Sequence, residues 1–110
     1  MGTSKTDFFS EKQNRLANFT KAMGHPARIA ILEYLLESGK CICGDIVEEL
    51  PLAQPTISQH LKELKSAGLI KGNTEGNAVC YCINEKGFAK FEKQMKSLFK
   101  RVKKYEEECC

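Results

Sequence analysis

The sequence predicts a single, mainly α-helical domain with one small β-hairpin, and three observations predict it. Apolar residues recur at helical spacing through most of the chain, two short alternating segments flank a Gly-containing turn, and a heptad seam fills the last quarter. At 110 residues there is room for one domain, 1–110, whose small core leaves apolar surface to be covered by a second copy. With 42% apolar and 28% charged residues the chain is an ordinary globular one, which argues against disorder. A net charge of +3 suits a polyanionic partner and equally suits a mixed solvated surface.

The elements follow in order. Phe8, Leu16, Phe19 and Met23 predict a first helix over 8–23. Gly24-His25-Pro26 interrupts it, with His25 as a turn or capping residue and Pro26 in the first turn of the next helix. That helix, 26–37, carries Ile29, Ile31, Leu32, Leu35 and Leu36, is apolar nearly all round, and is expected to be central and buried. Ser38-Gly39 stops it, and Lys40–Cys43 is too short for anything but an isolated strand. Asp45–Leu50 then reads as a short helix ended by Pro51, and Pro55–Ala67 as a second one ended by Gly68. Leu69–Thr74 and Ala78–Asn84 are the strands of a hairpin, joined by Glu75-Gly76-Asn77. In the second strand Val79, Tyr81 and Ile83 are expected to face the core and Cys80 and Cys82 to face away.

The last helix, 85–108, places Phe88, Phe91, Met95, Leu98, Val102 and Tyr105 at spacings of 3, 4, 3, 4 and 3. A helix of that length outruns a small domain. The seam either packs on the protomer's own core or, as the preferred reading, forms a dimer interface shared with helix 8–23. The order helix, helix, strand, helix, helix, hairpin, helix is that of a winged helix-turn-helix, with the motif at 45–67 and the wing at 69–84.

On a helical wheel, Ile57, Leu61 and Leu64 face the core and the opposite side of 55–67 is polar. A recognition helix docks in the major groove with its N-terminal residues nearest the bases. Gln59 suits adenine, which a side-chain amide pairs with bidentately. Thr56 and Ser58 suit bases or phosphates, while Lys62 and Lys65 suit phosphate. His60 lies at the margin of the apolar face, where a structural hydrogen bond is expected rather than catalysis or metal binding.

Three segments carry a resemblance: Gly24-His25-Pro26-Ala27-Arg28-Ile29-Ala30-Ile31-Leu32, Gln54-Pro55-Thr56-Ile57-Ser58-Gln59-His60-Leu61-Lys62, and Leu64-Lys65-Ser66-Ala67-Gly68-Leu69-Ile70. With Tyr81 in the wing, they resemble the ArsR/SmtB family of metal- and stress-responsive bacterial repressors over roughly residues 15–100. The resemblance implies a homodimer that occupies a twofold-symmetric operator in double-stranded DNA and lets go when an effector binds. It places Gln54, Thr56, Ser58, Gln59, His60, Lys62, Lys65 and, in the wing, Lys71 beside DNA. The wing departs from many relatives, offering Lys71 and Glu75 where they carry arginine.

No stretch reaches the ~20 apolar residues that span a bilayer. Residues 1–11 show no export signal, so a cytoplasmic protein without a membrane partner is expected. In a reducing cytosol the six cysteines read as free thiols, soft-metal ligands or redox sensors rather than as a disulfide scaffold. Cys41-Ile42-Cys43 sits one register away from the Cys-x-Cys metal motif of the family, so that site is not carried over. Alternation instead gathers Cys41, Cys43, Cys80 and Cys82 on one outer face of a small sheet, where they bind a thiophilic ion, form a disulfide, or serve as small apolar residues. Cys109 and Cys110, which extend the seam, are either part of an effector site or an exposed chain end.

The expected function is thus a repressor that needs no cofactor and is released by arsenite, antimonite, cadmium, copper(I) or zinc. The alternatives are a redox or persulfide switch on the same fold and a winged helix used only for protein interaction. No histidine, carboxylate and nucleophile converge as they do in an enzyme.

Overall fold

The computed structural model describes residues 8–43, 50–75 and 78–109. Among these residues four helices, α1 (Glu11–Met23), α2 (Pro26–Ser38), α3 (Gln54–Ser66) and α4 (Glu85–Cys109), accompany a sheet of β1 (Ile42–Cys43), β2 (Ile70–Glu75) and β3 (Ala78–Ile83). The strand order is β1-β3-β2, antiparallel throughout, so the hairpin β2–β3 is extended by β1 on its outer edge. The expected helix over Asp45–Leu50 and the hairpin turn at Gly76-Asn77 lie outside the described residues, Leu50 excepted.

Local chemistry sets the boundaries. α1 starts at Glu11 and not at Phe8 because Ser10 caps it. The Ser10 hydroxyl accepts from the Gln13 amide at 3.1 Å and the Ser10 amide donates to Gln13 Oε1 at 2.9 Å, a reciprocal capping box. His25 caps α2, its Nδ1 accepting from the Ala27 amide at 3.1 Å, ahead of Pro26 in the first turn. α3 ends in a Schellman turn: Gly68, at φ 82°, donates to the Lys65 carbonyl and Leu69 donates to Leu64, both at 3.0 Å.

The core is Phe19 and Ala22 of α1, Ile31, Leu32 and Leu35 of α2, Ile57, Leu61 and Leu64 of α3, and Leu69 and Ile70 leading into the hairpin. The apolar face predicted for α3 is the buried one. Two expectations change. α2 is not buried all round: Leu36 is 63% exposed and Ile29 is also exposed, since one side of the helix has no neighbour. In β3, Tyr81 and Ile83 do pack on the core, but Val79 is exposed and Cys80 is 3% exposed. The face of β3 expected to be open is therefore partly closed.

α4 divides into two halves. Phe88 and Phe91 pack against the core, and the Phe91 ring stacks on Phe19 with centroids 5.2 Å apart. Gln94 Nε2 donates to the Lys12 carbonyl at 3.2 Å. Beyond it Leu98, Phe99, Val102 and Tyr105 are exposed, Tyr105 by 64%. At 25 residues α4 is about 37 Å long. The radius of gyration is accordingly 16.7 Å, against the roughly 13 Å expected of a compact domain this size. Among the described residues no helix is long and apolar enough to cross a membrane.

The root of α4 is anchored to the turn that ends α3. Asn84 donates through its amide to the Leu69 carbonyl at 3.0 Å, and its side chain accepts from the Gly87 amide at 3.3 Å. Gly87 is buried, and a Cβ there would overlap the Gly68 carbonyl oxygen. Gly87→Ala should therefore cost about 1–3 kcal/mol by overpacking, measured by urea unfolding. An unchanged midpoint would show that the two backbones are not in contact.

Candidate nucleic-acid interface and thiol site

The buried row of α3 fixes which side faces out. With Ile57, His60, Leu61 and Leu64 turned inward, Gln54, Thr56, Ser58, Gln59, Lys62 and Lys65 are exposed. The sequence had predicted this outward set, apart from His60. Gln59 Nε2 donates to Glu63 Oε1 at 3.1 Å, so its amide is already oriented along the helix and must leave that carboxylate to meet a base. Lys65 turns back from the helix over Gly72 of β2, its Nζ 3.3 Å from where a Cβ on Gly72 would stand. Lys71 is exposed on β2, as the cross-strand partner of Cys82.

His60 does not join the outer set. It is 8% exposed and its Nδ1 accepts from Arg28 Nε at 3.1 Å. Arg28 in turn donates through its Nη1 to the Ala22 carbonyl at 3.2 Å, satisfying the free end of α1. The imidazole of His25 lies against His60 with ring centroids 4.4 Å apart. The sequence gives Arg28 no role beyond its place in a segment that carries the family resemblance. Its signal was a single cation inside the otherwise apolar run Pro26–Leu32.

Burial, then the neighbouring His25 and Arg28, hold the His60 imidazole below its ordinary titration range. An Nδ1 that accepts from a guanidinium must be unprotonated, so the bond exists only with neutral His60. The unfolded chain therefore takes up this proton first as pH falls. Stability from this group is complete above about pH 6.5 and is lost as pH drops toward the lowered folded-state value. Denaturant melts from pH 7.5 to 5 should show this decline, and His60→Gln should flatten it. A His60→Gln variant with the wild-type slope would contradict the assignment.

Cys41 and Cys43 lie beside and on β1, and Cys80 and Cys82 on β3, with Cys82 on the same face of the sheet as Lys71. Cys41 and Cys82 are joined by a disulfide, with Cα atoms 4.4 Å apart. That distance matches the close, non-hydrogen-bonded positions of an antiparallel ladder. Two residues along, Cys43 is the Cα partner of Cys80, and Cys80 is itself disulfide-bonded. Cys41 is exposed, while Cys80 is buried. Among the described residues no three His, Cys, Asp or Glu side chains are grouped so as to hold a metal ion. Cys109 ends α4, while its side chain and Cys110 lie outside the described residues, as does the side chain of Cys43.

The family model described as bacterial regulatory protein, arsR family, matches residues 25–71, which hold α2, β1, α3 and the start of the wing. An uncharacterized HTH-type transcriptional regulator of Methanocaldococcus jannaschii is 46% identical over 74 residues, covering 66% of this chain and 82% of that protein. The transcriptional repressor SdpR of Bacillus subtilis is 39% identical over 67 residues, covering 61% of this chain and 73% of that one. Among solved structures, an ArsR family transcriptional regulator superposes with a TM-score of 0.73 at 19% identity, covering 86% of this chain and 97% of the other. With a winged helix-turn-helix fold, an outward polar face on α3 and these relatives, which are regulators and not enzymes, the chain belongs to the ArsR family of bacterial transcriptional regulators.

Proposed function

We propose that this chain is a homodimeric operator-binding repressor whose hold on DNA is set by the state of Cys41 and Cys82. The observation that carries the reading is the place of the Cys41–Cys82 bridge, which closes the segment containing the whole reading head. Its sequence separation of 41 spans α3, β2 and most of β3. In the chain-entropy model, closing a loop of that size removes roughly 4 kcal/mol of denatured-state freedom. In the folded chain the bridge ties β1, the strand that precedes α3, to β3 of the wing, and on this reading bridging acts on how those two elements face a duplex.

In the reducing compartment where an operator is found, the resting pair is two thiols. A disulfide- or persulfide-class oxidant closes the bridge by accepting two electrons as the two thiols give up their protons. Capture of the two sulfurs by a thiophilic ion, with arsenite, antimonite, cadmium, copper(I) and zinc as candidates, is the second reading, and the same juxtaposition favours it. Either event biases the reading head toward one arrangement, and a coupling typical of allostery changes affinity 5–150-fold.

Exposed apolar residues on α4 support a second copy there. The helix's distal half holds Leu98, Phe99, Val102 and Tyr105 in water, continuing the seam whose first half the protomer covers itself. Pairing two such halves would fix the separation of two recognition helices, which must reach half-sites about one helical turn, ~34–36 Å, apart.

Two experiments test the proposal. A duplex selected from a random pool should bind the dithiol protein with a steep salt dependence, and bridging should weaken that binding roughly 5–150-fold. Cys41→Ser/Cys82→Ser should bind equally under both conditions, and a bridged wild-type protein with undiminished affinity would refute the switch. Separately, Val102→Glu/Tyr105→Glu should sediment as a monomer and lose operator binding. A dimer that survives both charges would place the interface elsewhere.

A further inference from the structure

The Cys41–Cys82 bridge forms one wall of an open cleft of about 560 Å³ between the end of α2 and the sheet. Leu35, Leu36 and Ile83 make its apolar floor, and Lys40 and Lys71 stand at its edges. Glu85 is the one acid among the described lining residues. The lysines are placed by chain and register. Lys40 precedes Cys41, and Lys71 is the cross-strand partner of Cys82, which puts the two side chains on one face with Cβ atoms about 4.5–5.5 Å apart. Each cysteine thus has a lysine beside it, Cys41 in sequence and Cys82 across the strands, and all four residues line the cleft with Leu35, Leu36 and Ile83.

We infer that this cleft is a binding and exchange site for an anionic low-molecular-weight thiol, which returns the bridged protein to its dithiol state. The inference rests on the reading that Cys41 and Cys82 are the responsive pair. It adds which molecules reach them and which sulfur they attack.

The step follows from exposure and charge. Cys41 is exposed and Cys82 only partly so, which makes Cys41 the half of the bridge that an incoming thiol is expected to reach. The incoming thiolate forms a sulfur–sulfur bond to Cys41 while the Cys41–Cys82 bond breaks, and Cys82 leaves as a thiolate beside Lys71. A cation next to the leaving sulfur stabilises its anionic form and speeds departure. A second thiol attacks the small-molecule sulfur of the mixed disulfide and releases Cys41 as a thiolate. Two thiols have become one small disulfide, two electrons have passed to the protein, and the thiol protons end on Cys41 and Cys82. The carboxylate of the thiol would sit between Lys40 and Lys71, with its carbon chain on Leu36 and Ile83.

The test follows reduction of the bridged full-length protein by mercaptoacetate, 2-mercaptoethanol and cysteamine, which are anionic, neutral and cationic respectively. Each rate is divided by the same thiol's rate with a short, uncharged peptide disulfide, so that intrinsic nucleophilicity cancels. At low ionic strength the normalised rate for mercaptoacetate should exceed that for cysteamine by roughly 3–10-fold, and the gap should narrow in 0.5 M salt. Lys40→Gln/Lys71→Gln, at two exposed positions, should bring the ratio within about twofold of unity. Mass spectrometry of the quenched reaction should find the mercaptoacetate adduct on Cys41. Equal normalised rates in the wild type, a preference that survives loss of both lysines, or an adduct on Cys82 would each overturn the inference. Because exchange is read on the protein alone, the charge preference with unchanged operator affinity would uphold the cleft while refuting the switch. A redox-dependent affinity without the preference would do the reverse.

Discussion

The guanidinium of Arg28 is the contact on which the reading head depends. It ties together the end of α1, through the Ala22 carbonyl, and the middle of α3, through His60, from its own place on α2. Three helices thus meet at one partly buried cation. The hydrophobic row Ile57, Leu61 and Leu64 decides which side of α3 is buried, but apolar contact is non-directional and would tolerate a small slide or rotation. A hydrogen bond from a planar, charged donor to a single ring nitrogen does not. Arg28 and His60 therefore set the pitch at which Gln54, Thr56, Ser58, Gln59 and Lys62 face outward.

The positive charge of the chain is distributed in a way that bears on function. Of the 17 lysines and arginines, eight lie on α4, and only Lys62 and Lys65 lie on α3. Charge alone would therefore place a polyanion on the outer side of α4. The polar face of α3 has fewer charges but offers amide and hydroxyl groups able to read base edges, which a row of lysines does not. The two surfaces suit different tasks, and the wing lies beside α3. There the cysteines join β1, the strand that leads into the motif, to β3, the inner strand of the hairpin.

Much of this architecture was legible in the sequence because periodicity and punctuation agree there. Pro26, Gly39, Pro55 and Gly68 bracket helices whose apolar spacing is unambiguous, and the buried face of α3 follows from Ile57, Leu61 and Leu64. The phase of β3 was legible, since Tyr81 and Ile83 pack on the core as the alternation predicts, but the cover over its first half was not. Val79 and Cys80 are both apolar in character, so hydropathy cannot say which of the two is the more covered. A disulfide-bonded Cys80 is buried and Val79 is exposed, an outcome set by pairing across strands rather than by local pattern. For His60 a structural hydrogen bond was legible from its marginal place on the helix wheel, but its partner, Arg28, 32 residues away, was not. For α4 the seam was legible, but its division into a half covered by the protomer and a half left open depends on where the core ends.

The central claim is that α3, and not the more highly charged α4, meets the DNA. Titrating isotopically labelled dithiol protein with its selected duplex and following backbone and side-chain amide signals tests it directly. The account predicts that the largest shifts fall on residues 54–66 and on the Gln59 side-chain amide, which must leave Glu63. Shifts concentrated along residues 86–104, with 54–66 unmoved, would contradict it and make the outer side of α4 the binding surface.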